Sequence, residues 1–112
     1  MVVLIVEVLI PAEHHERVLA ALPAFDAKTR SEDGCLFFRH ALDVADTRLL
    51  VLSEVWRDQP ALLAHFRTAH FRAYQQMSRD VGLRPQIRQF EGEEIGREEE
   101  AHVRRMLRGS AG

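Results

Sequence analysis

The sequence predicts an α+β fold in which helices cover one face of a β-sheet. Two observations lead to this prediction. The 112 residues are enough for one domain with a single core. Within them, short runs rich in β-branched and aliphatic residues alternate with segments whose apolar residues recur at helical spacing. The predicted order is strand, helix, strand, strand, broken helix, strand.

The first strand and the first helix occupy the amino-terminal part of the chain. Residues 2–10, VVLIVEVLI, are aliphatic at both odd and even positions, which is typical of a strand covered on both faces. Pro11 ends the strand and suits the opening of a helix. In that helix Val18, Leu22 and Phe25 recur on one side, which is therefore expected to pack on the sheet.

A β-hairpin is expected next. Asp33 and Gly34 mark a turn, and the segments CLFFRHAL and RLLVLSEVW are interpreted as the second and third strands. The turn-like sequence DVADT separates them, so the two strands are expected to pair directly.

The following segment predicts a helix. Asp58 suits the N-cap position, and Pro60 suits the first turn. Leu62, Leu63 and Phe66 form the expected apolar stripe of this helix.

Two histidines indicate that this helix is interrupted. In one continuous helix His65 and His70 would point about 140° apart, because each residue advances roughly 100°. Thr68 can cap a second helix that begins near Ala69. In that second helix His70 and Tyr74 share one face.

The carboxyl-terminal residues predict one more strand and a tail. A short polar strand around residues 86–91 suits a sheet edge. Residues 1–95 are therefore expected to form the domain. Residues 96–112 form a charged tail that is either a marginal helix, with Glu100 and Arg104 as an i,i+4 pair, or loose.

Apolar residues on both faces of the strands predict self-association. Val2 and Leu4 lie on one face of the first strand, and Val3 and Ile5 lie on the other. Two helical segments can cover only one face of the sheet. The other face would leave a larger apolar patch than monomers tolerate, so a homodimer packed sheet to sheet is expected.

Composition argues against several other partners. The 15 Lys and Arg residues are scattered and nearly balance 17 Asp and Glu residues, so nucleic acid is not expected. The apolar runs are too short to span a membrane, and no secretory signal is evident, so a cytoplasmic location is expected. The single cysteine, Cys35, cannot form an internal disulfide, and no zinc-ligand spacing is present, so no metal is expected.

Candidate site residues lie on the third strand and on the second part of the broken helix. Alternation puts Glu54 and Trp56 on one strand face, and if that face meets the helices they lie opposite His70 and Tyr74. Imidazole can move protons near neutral pH, and aromatic rings can hold a flat apolar ligand. Each residue also has a structural interpretation, with Trp56 in the core and His70 solvated on the helix. Glycine-rich phosphate loops and serine-centred nucleophile motifs are absent, so no cofactor is expected.

A family resemblance lies in residues 29–74, TRSEDGCLFFRHALDVADTRLLVLSEVWRDQPALLAHFRTAHFRAY. A Thr-Arg-x-Glu-x-Gly-Cys segment leads into the second strand, Glu-x-Trp ends the third strand, and a helix rich in Ala and Leu leads to His-Phe. This combination closely resembles the antibiotic biosynthesis monooxygenase domain family. With the order of the flanking elements, the resemblance covers roughly residues 2–95.

The resemblance implies a ferredoxin-like βαββαβ fold with an antiparallel sheet, paired into a dimeric α/β barrel with a pocket in each subunit. The family includes cofactor-free oxygenases of anthrone-type aromatics, quinol monooxygenases, haem-degrading enzymes and an isomerase of a phosphorylated signalling sugar. Its Glu-x-Trp and His-Phe positions correspond to Glu54, Trp56, His70 and Phe71. The haem-degrading type uses an Asn on the first strand, and this chain contains no Asn, so haem degradation is disfavoured.

Resemblance and candidate residues together predict a cofactor-independent monooxygenase that oxidises a quinol-like or anthrone-like molecule with O2. In this hypothesis His70 is the base, assisted by Glu54, and Trp56 completes the catalytic group. The substrate is expected to contact Phe66, Phe71, Tyr74 and Arg39.

Two other functions fit the same residues. One is a non-catalytic dimer that binds a small aromatic or lipid-like ligand. The other is an isomerase of a small polar metabolite, in which Arg39, His40 and Arg72 would anchor anionic groups.

Overall fold

A computed structural model describes residues 1–109 of the chain, apart from the side chains of residues 97–99. A short 3₁₀ turn, Ala12–His14, leads from the first strand into the first α-helix. The elements are β1 (Val2–Leu9), α1 (His15–Arg30), β2 (Cys35–Leu42), β3 (Leu49–Trp56), α2 (Gln59–His65), α3 (Ala69–Val81), β4 (Gln86–Glu91) and α4 (Arg97–Leu107).

The first three strands and β4 form one antiparallel sheet in the order β2-β3-β1-β4. β2 and β3 form the predicted hairpin, and β4 lies at the opposite edge, paired with β1. α1 connects β1 to β2, and the pair α2 and α3 connects β3 to β4. This topology confirms the predicted α+β, ferredoxin-like βαββαβ fold.

Strand alternation decides which side chains reach the helices. Leu4 of β1 lies opposite Glu54 of β3, and both are buried together with Trp56. Phe25 of α1 and Leu62 of α2 pack into the same core cluster. Complete burial of each such apolar side chain contributes about 1.5–3 kcal/mol, so this face holds the helices on the sheet.

The opposite face of the sheet is partly open, and aliphatic residues of β1 and β3 lie there beside charged residues such as Arg39 and Arg88. Val3, Ile5, Val51 and Val55 are only half-buried there. Phe90 pairs with Val3 on the same face and is exposed. This is the face on which the sequence predicts a second copy of the chain.

Two side-chain caps produce the predicted interruption between α2 and α3. The carboxylate of Asp58 accepts a hydrogen bond from the Ala61 amide at 2.9 Å and begins α2. The hydroxyl of Thr68 accepts a hydrogen bond from the Phe71 amide at 3.2 Å and begins α3. Each cap satisfies an amide that has no partner inside its helix, which is worth about 1 kcal/mol.

The predicted apolar stripe of α2 is wrong at two positions. Leu62 is buried, but Leu63 and Phe66 are 44% and 40% exposed, whereas His65 is only 2% exposed. The face that α2 turns inward consists of Ala61, Leu62 and His65. Because histidine is treated as polar when apolar residues are counted along a helix, the pattern does not predict that the imidazole of His65 faces inward.

The charged tail predicted for residues 96–112 contains α4, and its residues 110–112 lie outside the described residues. This helix exposes Val103, Met106 and Leu107. Arg104 donates hydrogen bonds to Glu100, which is the i,i+4 pair expected from the sequence. No helix in residues 1–109 is both long enough and apolar enough to cross a lipid bilayer.

Candidate active site

A cavity of about 280 Å³ lies between the sheet and α3. All four strands contribute to its walls, and most of its lining is aliphatic or aromatic with a few polar groups, which is typical of small-molecule sites. The lining residues are Leu4, Val6, Val8, His40, Leu50, Leu52, Glu54, Phe66, Phe71, Tyr74, Gln75, Ser78, Leu83, Pro85 and Ile87.

Glu54 is a buried acid at the wall of this cavity. The indole N–H of Trp56 donates a hydrogen bond to Oε1 of Glu54 at 2.9 Å, and both side chains are buried. Burial raises the pKa of the Glu54 carboxyl, whereas the Trp56 hydrogen bond and the nearby His40 oppose this rise. Glu54 therefore keeps its proton to a higher pH than an exposed glutamate does.

His40 lines the cavity and forms a dyad with Asp26. Its Nδ1 lies 2.7 Å from Oδ1 of Asp26, and both side chains are nearly buried. When Nδ1 carries the ring proton and donates a hydrogen bond to this carboxylate, Nε2 keeps a free lone pair. A carboxylate that orients an imidazole in this way favours its action as a general base.

Tyr74 adds a phenol to the cavity. Its ring stacks on Phe25, with ring centroids 4.4 Å apart and planes only 7° from parallel. Burial raises the pKa of the Tyr74 hydroxyl to about 12, and the carboxylates of Asp26 and Glu54 add to the rise. Tyr74 therefore stays protonated at neutral pH and can donate a hydrogen bond to a ligand.

The two histidines of the interrupted helix meet at one carboxylate. Oε2 of Glu32 lies 2.6 Å from Nδ1 of His65 and 2.8 Å from Nε2 of His70. His65 also packs on Trp56, with ring centroids 4.9 Å apart. Burial lowers the pKa of the His65 imidazole, although the hydrogen bond that it donates to the Glu32 carboxylate opposes this effect.

Four of the predicted site residues, Glu54, Phe66, Phe71 and Tyr74, line the cavity. Phe66 and Phe71 form one part of the wall, with ring centroids 5.0 Å apart. Their predicted contact with substrate is therefore compatible with their positions.

The other three predicted site residues lie elsewhere. Trp56 is fully buried and reaches the cavity only through Glu54. His70 is not among the residues that line the cavity, and its Nε2 lies 2.8 Å from Oε2 of Glu32, so its role as the base stays a prediction. Arg39 lies on the opposite face of the sheet, where its guanidinium stacks over Phe37 at 5.4 Å, so it has no access to a ligand in this cavity.

Sequence reasoning missed two carboxylates and left the orientation of one histidine open. The sequence pattern does not pair Asp26 or Glu32 with a histidine, and it leaves the face of His40 open. His40 shares strand parity with Phe38, which is buried, but two adjacent phenylalanines in the sequence do not show which of them faces inward. Contacts across 14 and 38 residues, as between Asp26 and His40 or Glu32 and His70, have no local signal.

The fold is similar to several solved structures. A proposed antibiotic biosynthesis monooxygenase from Deinococcus radiodurans has a TM-score of 0.78 and 23% identity, covering 86% of this chain and 97% of that chain. The protein PA3566 from Pseudomonas aeruginosa has a TM-score of 0.76 and 30% identity, covering 83% of this chain and 94% of that chain. A crystal structure of an antibiotic biosynthesis monooxygenase has a TM-score of 0.76 and 26% identity, covering 84% of this chain and 100% of that chain.

Sequence comparisons agree with this similarity. An uncharacterized protein of Synechocystis is 31% identical over 70 residues, which are 62% of this chain and 48% of that protein. The match thus spans about half the length of this curated relative. The family model described as antibiotic biosynthesis monooxygenase matches residues 1–77, which is more than half of the chain. The chain belongs to the antibiotic biosynthesis monooxygenase family.

Proposed function

We propose that this chain is a cofactor-independent monooxygenase that oxidises a small aromatic substrate with O2. The observation that supports this proposal most strongly is the His40–Asp26 dyad at the wall of a largely apolar cavity. An oriented imidazole beside an apolar space is what the removal of a proton from a flat phenolic molecule requires.

The cavity suits a small apolar ring system with a hydroxyl or carbonyl group. Its volume of about 280 Å³ lies just below the usual range of ligand cavities, which is about 300–1,000 Å³. Phe66, Phe71 and aliphatic residues of the sheet provide apolar contact. The protonated hydroxyl of Tyr74 and the carboxyl of Glu54 can form hydrogen bonds with the oxygen of the substrate.

The chemical step begins with proton transfer. Nε2 of His40 accepts a proton from the phenol, or from the acidic carbon of an anthrone, and Asp26 stabilises the resulting imidazolium. The electron-rich anion transfers an electron to O2, and the two radicals combine. For an anthrone, one oxygen atom becomes the new carbonyl and the other leaves as water, with all the electrons supplied by the substrate. The role of the protein is to bind, to deprotonate and to exclude water.

The base is the point at which this mechanism differs from the sequence-based hypothesis. That hypothesis assigned the base to His70, which contacts Glu32 at 2.8 Å and is not among the residues that line the cavity. We assign the base to His40, and the assignment to His70 stays as the competing proposal. The two proposals differ in which variant loses turnover.

Turnover of a panel of hydroquinones and anthrones by His40→Ala and His70→Ala tests the assignment. Loss of a general base lowers turnover by about 10²–10⁴-fold, and we expect this loss in His40→Ala. His102→Ala, which removes an exposed imidazole from α4, is the matched control. Loss in His70→Ala with full activity in His40→Ala would assign the base to His70 instead.

A non-catalytic ligand-binding protein is the second candidate, because an apolar cavity binds small aromatic molecules whether or not chemistry follows. Oxygen dependence separates the two candidates, since only the monooxygenase consumes O2. The isomerase of a polar metabolite has less support, because the described residues that line the cavity include no Lys or Arg.

The open face of the sheet supports a homodimer as the proposed assembly. Val3, Ile5, Val51 and Val55 would be covered when two sheets pack face to face. Light scattering after size exclusion should give twice the chain mass at micromolar concentration. Val51→Glu should shift the protein to monomer, whereas Ala20→Glu on the exposed side of α1 should not. A wild-type monomer at this concentration would refute the dimer.

A further inference from the structure

We propose that Glu32, His65 and His70 form a binding site for a divalent first-row transition-metal ion. Within the residues that the structure describes, they are the one group of three or more His, Cys, Asp or Glu side chains arranged to share an ion. Their ligand atoms all lie within 4.8 Å of one another. Two imidazole nitrogens and one carboxylate oxygen are a donor set that ions such as Zn²⁺ and Fe²⁺ bind well.

The two distances between Glu32 and the imidazoles require little movement for an ion to bind. Metal bonds of about 2.0–2.2 Å at tetrahedral or octahedral angles place neighbouring ligand atoms roughly 3.0–3.4 Å apart. The oxygen of Glu32 is now 2.6 Å and 2.8 Å from the two imidazole nitrogens. The carboxylate would therefore withdraw by about 0.5 Å, which a side-chain adjustment in the α1–β2 connection can provide.

The surroundings hold both imidazoles in place. The ring of His65 packs against Trp56 and Phe71, with ring centroids 4.9 Å and 5.1 Å away. His70 lies in the first turn of α3, which begins at the Thr68 cap. Ligands fixed in this way lose little conformational entropy when an ion binds.

The site is also accessible. His65 is buried, but the side chains of Glu32 and His70 are partly exposed. A hydrated ion can therefore reach the three ligands and keep water in its remaining coordination positions. The single negative charge of Glu32 would balance part of the charge of the ion.

An ion at this position would order one wall of the active-site cavity. His65 and His70 are followed directly by Phe66 and Phe71, both of which line the cavity. Coordination would tie the α1–β2 connection to the junction of α2 and α3. The ion would thus stabilise the cavity wall without taking part in the proposed reaction, because its ligands do not line the cavity.

Calorimetric titration of Zn²⁺ into chelator-treated protein tests the site. We expect one ion per chain and an affinity that falls about tenfold or more in Glu32→Gln and in His70→Ala. His102→Ala, which removes an exposed imidazole, should bind as the wild type does. At a hundredfold excess over the dissociation constant, Zn²⁺ should raise the Tm of the wild type by about 10 °C.

Equal Zn²⁺ affinity in the wild type and His70→Ala would overturn the site, as would loss of binding in His102→Ala or the absence of saturable binding. Circular dichroism shows whether each variant is folded. Because His70 is partly exposed, His70→Ala keeps the test decisive if Glu32→Gln proves unstable. None of these measurements uses turnover, so their outcome is independent of the proposed oxygenase activity.

Discussion

Replacing Trp56 by Phe tests whether the indole N–H stabilises the buried acid of the cavity. The substitution removes the donor that lies 2.9 Å from Oε1 of Glu54 and leaves a buried acceptor without that partner. An unsatisfied buried acceptor costs about 1–3 kcal/mol. The smaller ring also removes roughly 40 Å² of buried apolar surface, or about 1 kcal/mol. The free energy of unfolding should fall by about 2–4 kcal/mol, from a typical total of about 5–15 kcal/mol.

Urea unfolding of a double-mutant cycle separates these two contributions. In a Glu54→Met background the acceptor is already absent, so Trp56→Phe should cost only the ring contribution of about 1 kcal/mol. The coupling free energy between the two positions should be about 1–3 kcal/mol. A coupling below about 0.5 kcal/mol, the usual limit of additivity, would refute the reasoning.

Three further predictions concern the elements around the site. Thr68→Ala should lower the free energy of unfolding by about 1 kcal/mol through loss of the α3 cap, and an unchanged urea midpoint would contradict this. Gly34→Ala should lower the free energy of unfolding by at least about 2 kcal/mol, because φ is +84° and the new Cβ would lie 2.5 Å from the Cβ of Ala61. A melting temperature equal to that of the wild type would contradict this. The pKa of Glu54 is raised in the folded state, so the folded protein binds this proton more tightly than the unfolded chain does. The stability that the protonated carboxyl contributes is therefore lost as pH rises from the unfolded-state pKa through the folded-state pKa. Glu54→Gln cannot titrate, so its stability relative to wild type should increase across that pH range, and a constant difference in unfolding curves would contradict the sign.

The sequence predicted the fold because the deciding signals are local. Proline and glycine positions, two-sided apolar runs and the caps Asp58 and Thr68 each act within a few residues of the element that they define. The interruption between α2 and α3 follows from one threonine, whose hydroxyl satisfies an amide that a continuous helix would have bonded internally. Strand parity likewise placed Glu54 on the inner face of the sheet.

The site was predicted less completely because its polar contacts are tertiary. Parity and helical spacing give the side of an element on which a residue lies, but they do not give its partner. His70 has the expected helix position, yet a carboxylate 38 residues away determines where its ring is directed. His40 gains its position on the cavity from Asp26 on α1, a pairing that depends on how α1 packs against β2.

The most direct test of the proposed chemistry is oxygen uptake by chelator-treated protein supplied with hydroquinones and anthrones under isotopically labelled O2. We expect uptake without added metal or organic cofactor, one labelled atom in the organic product, and loss of uptake by about 10²–10⁴-fold in His40→Ala but not in His102→Ala. Binding of the aromatic molecules with no oxygen consumption across the panel would contradict the monooxygenase and assign the cavity to ligand binding alone.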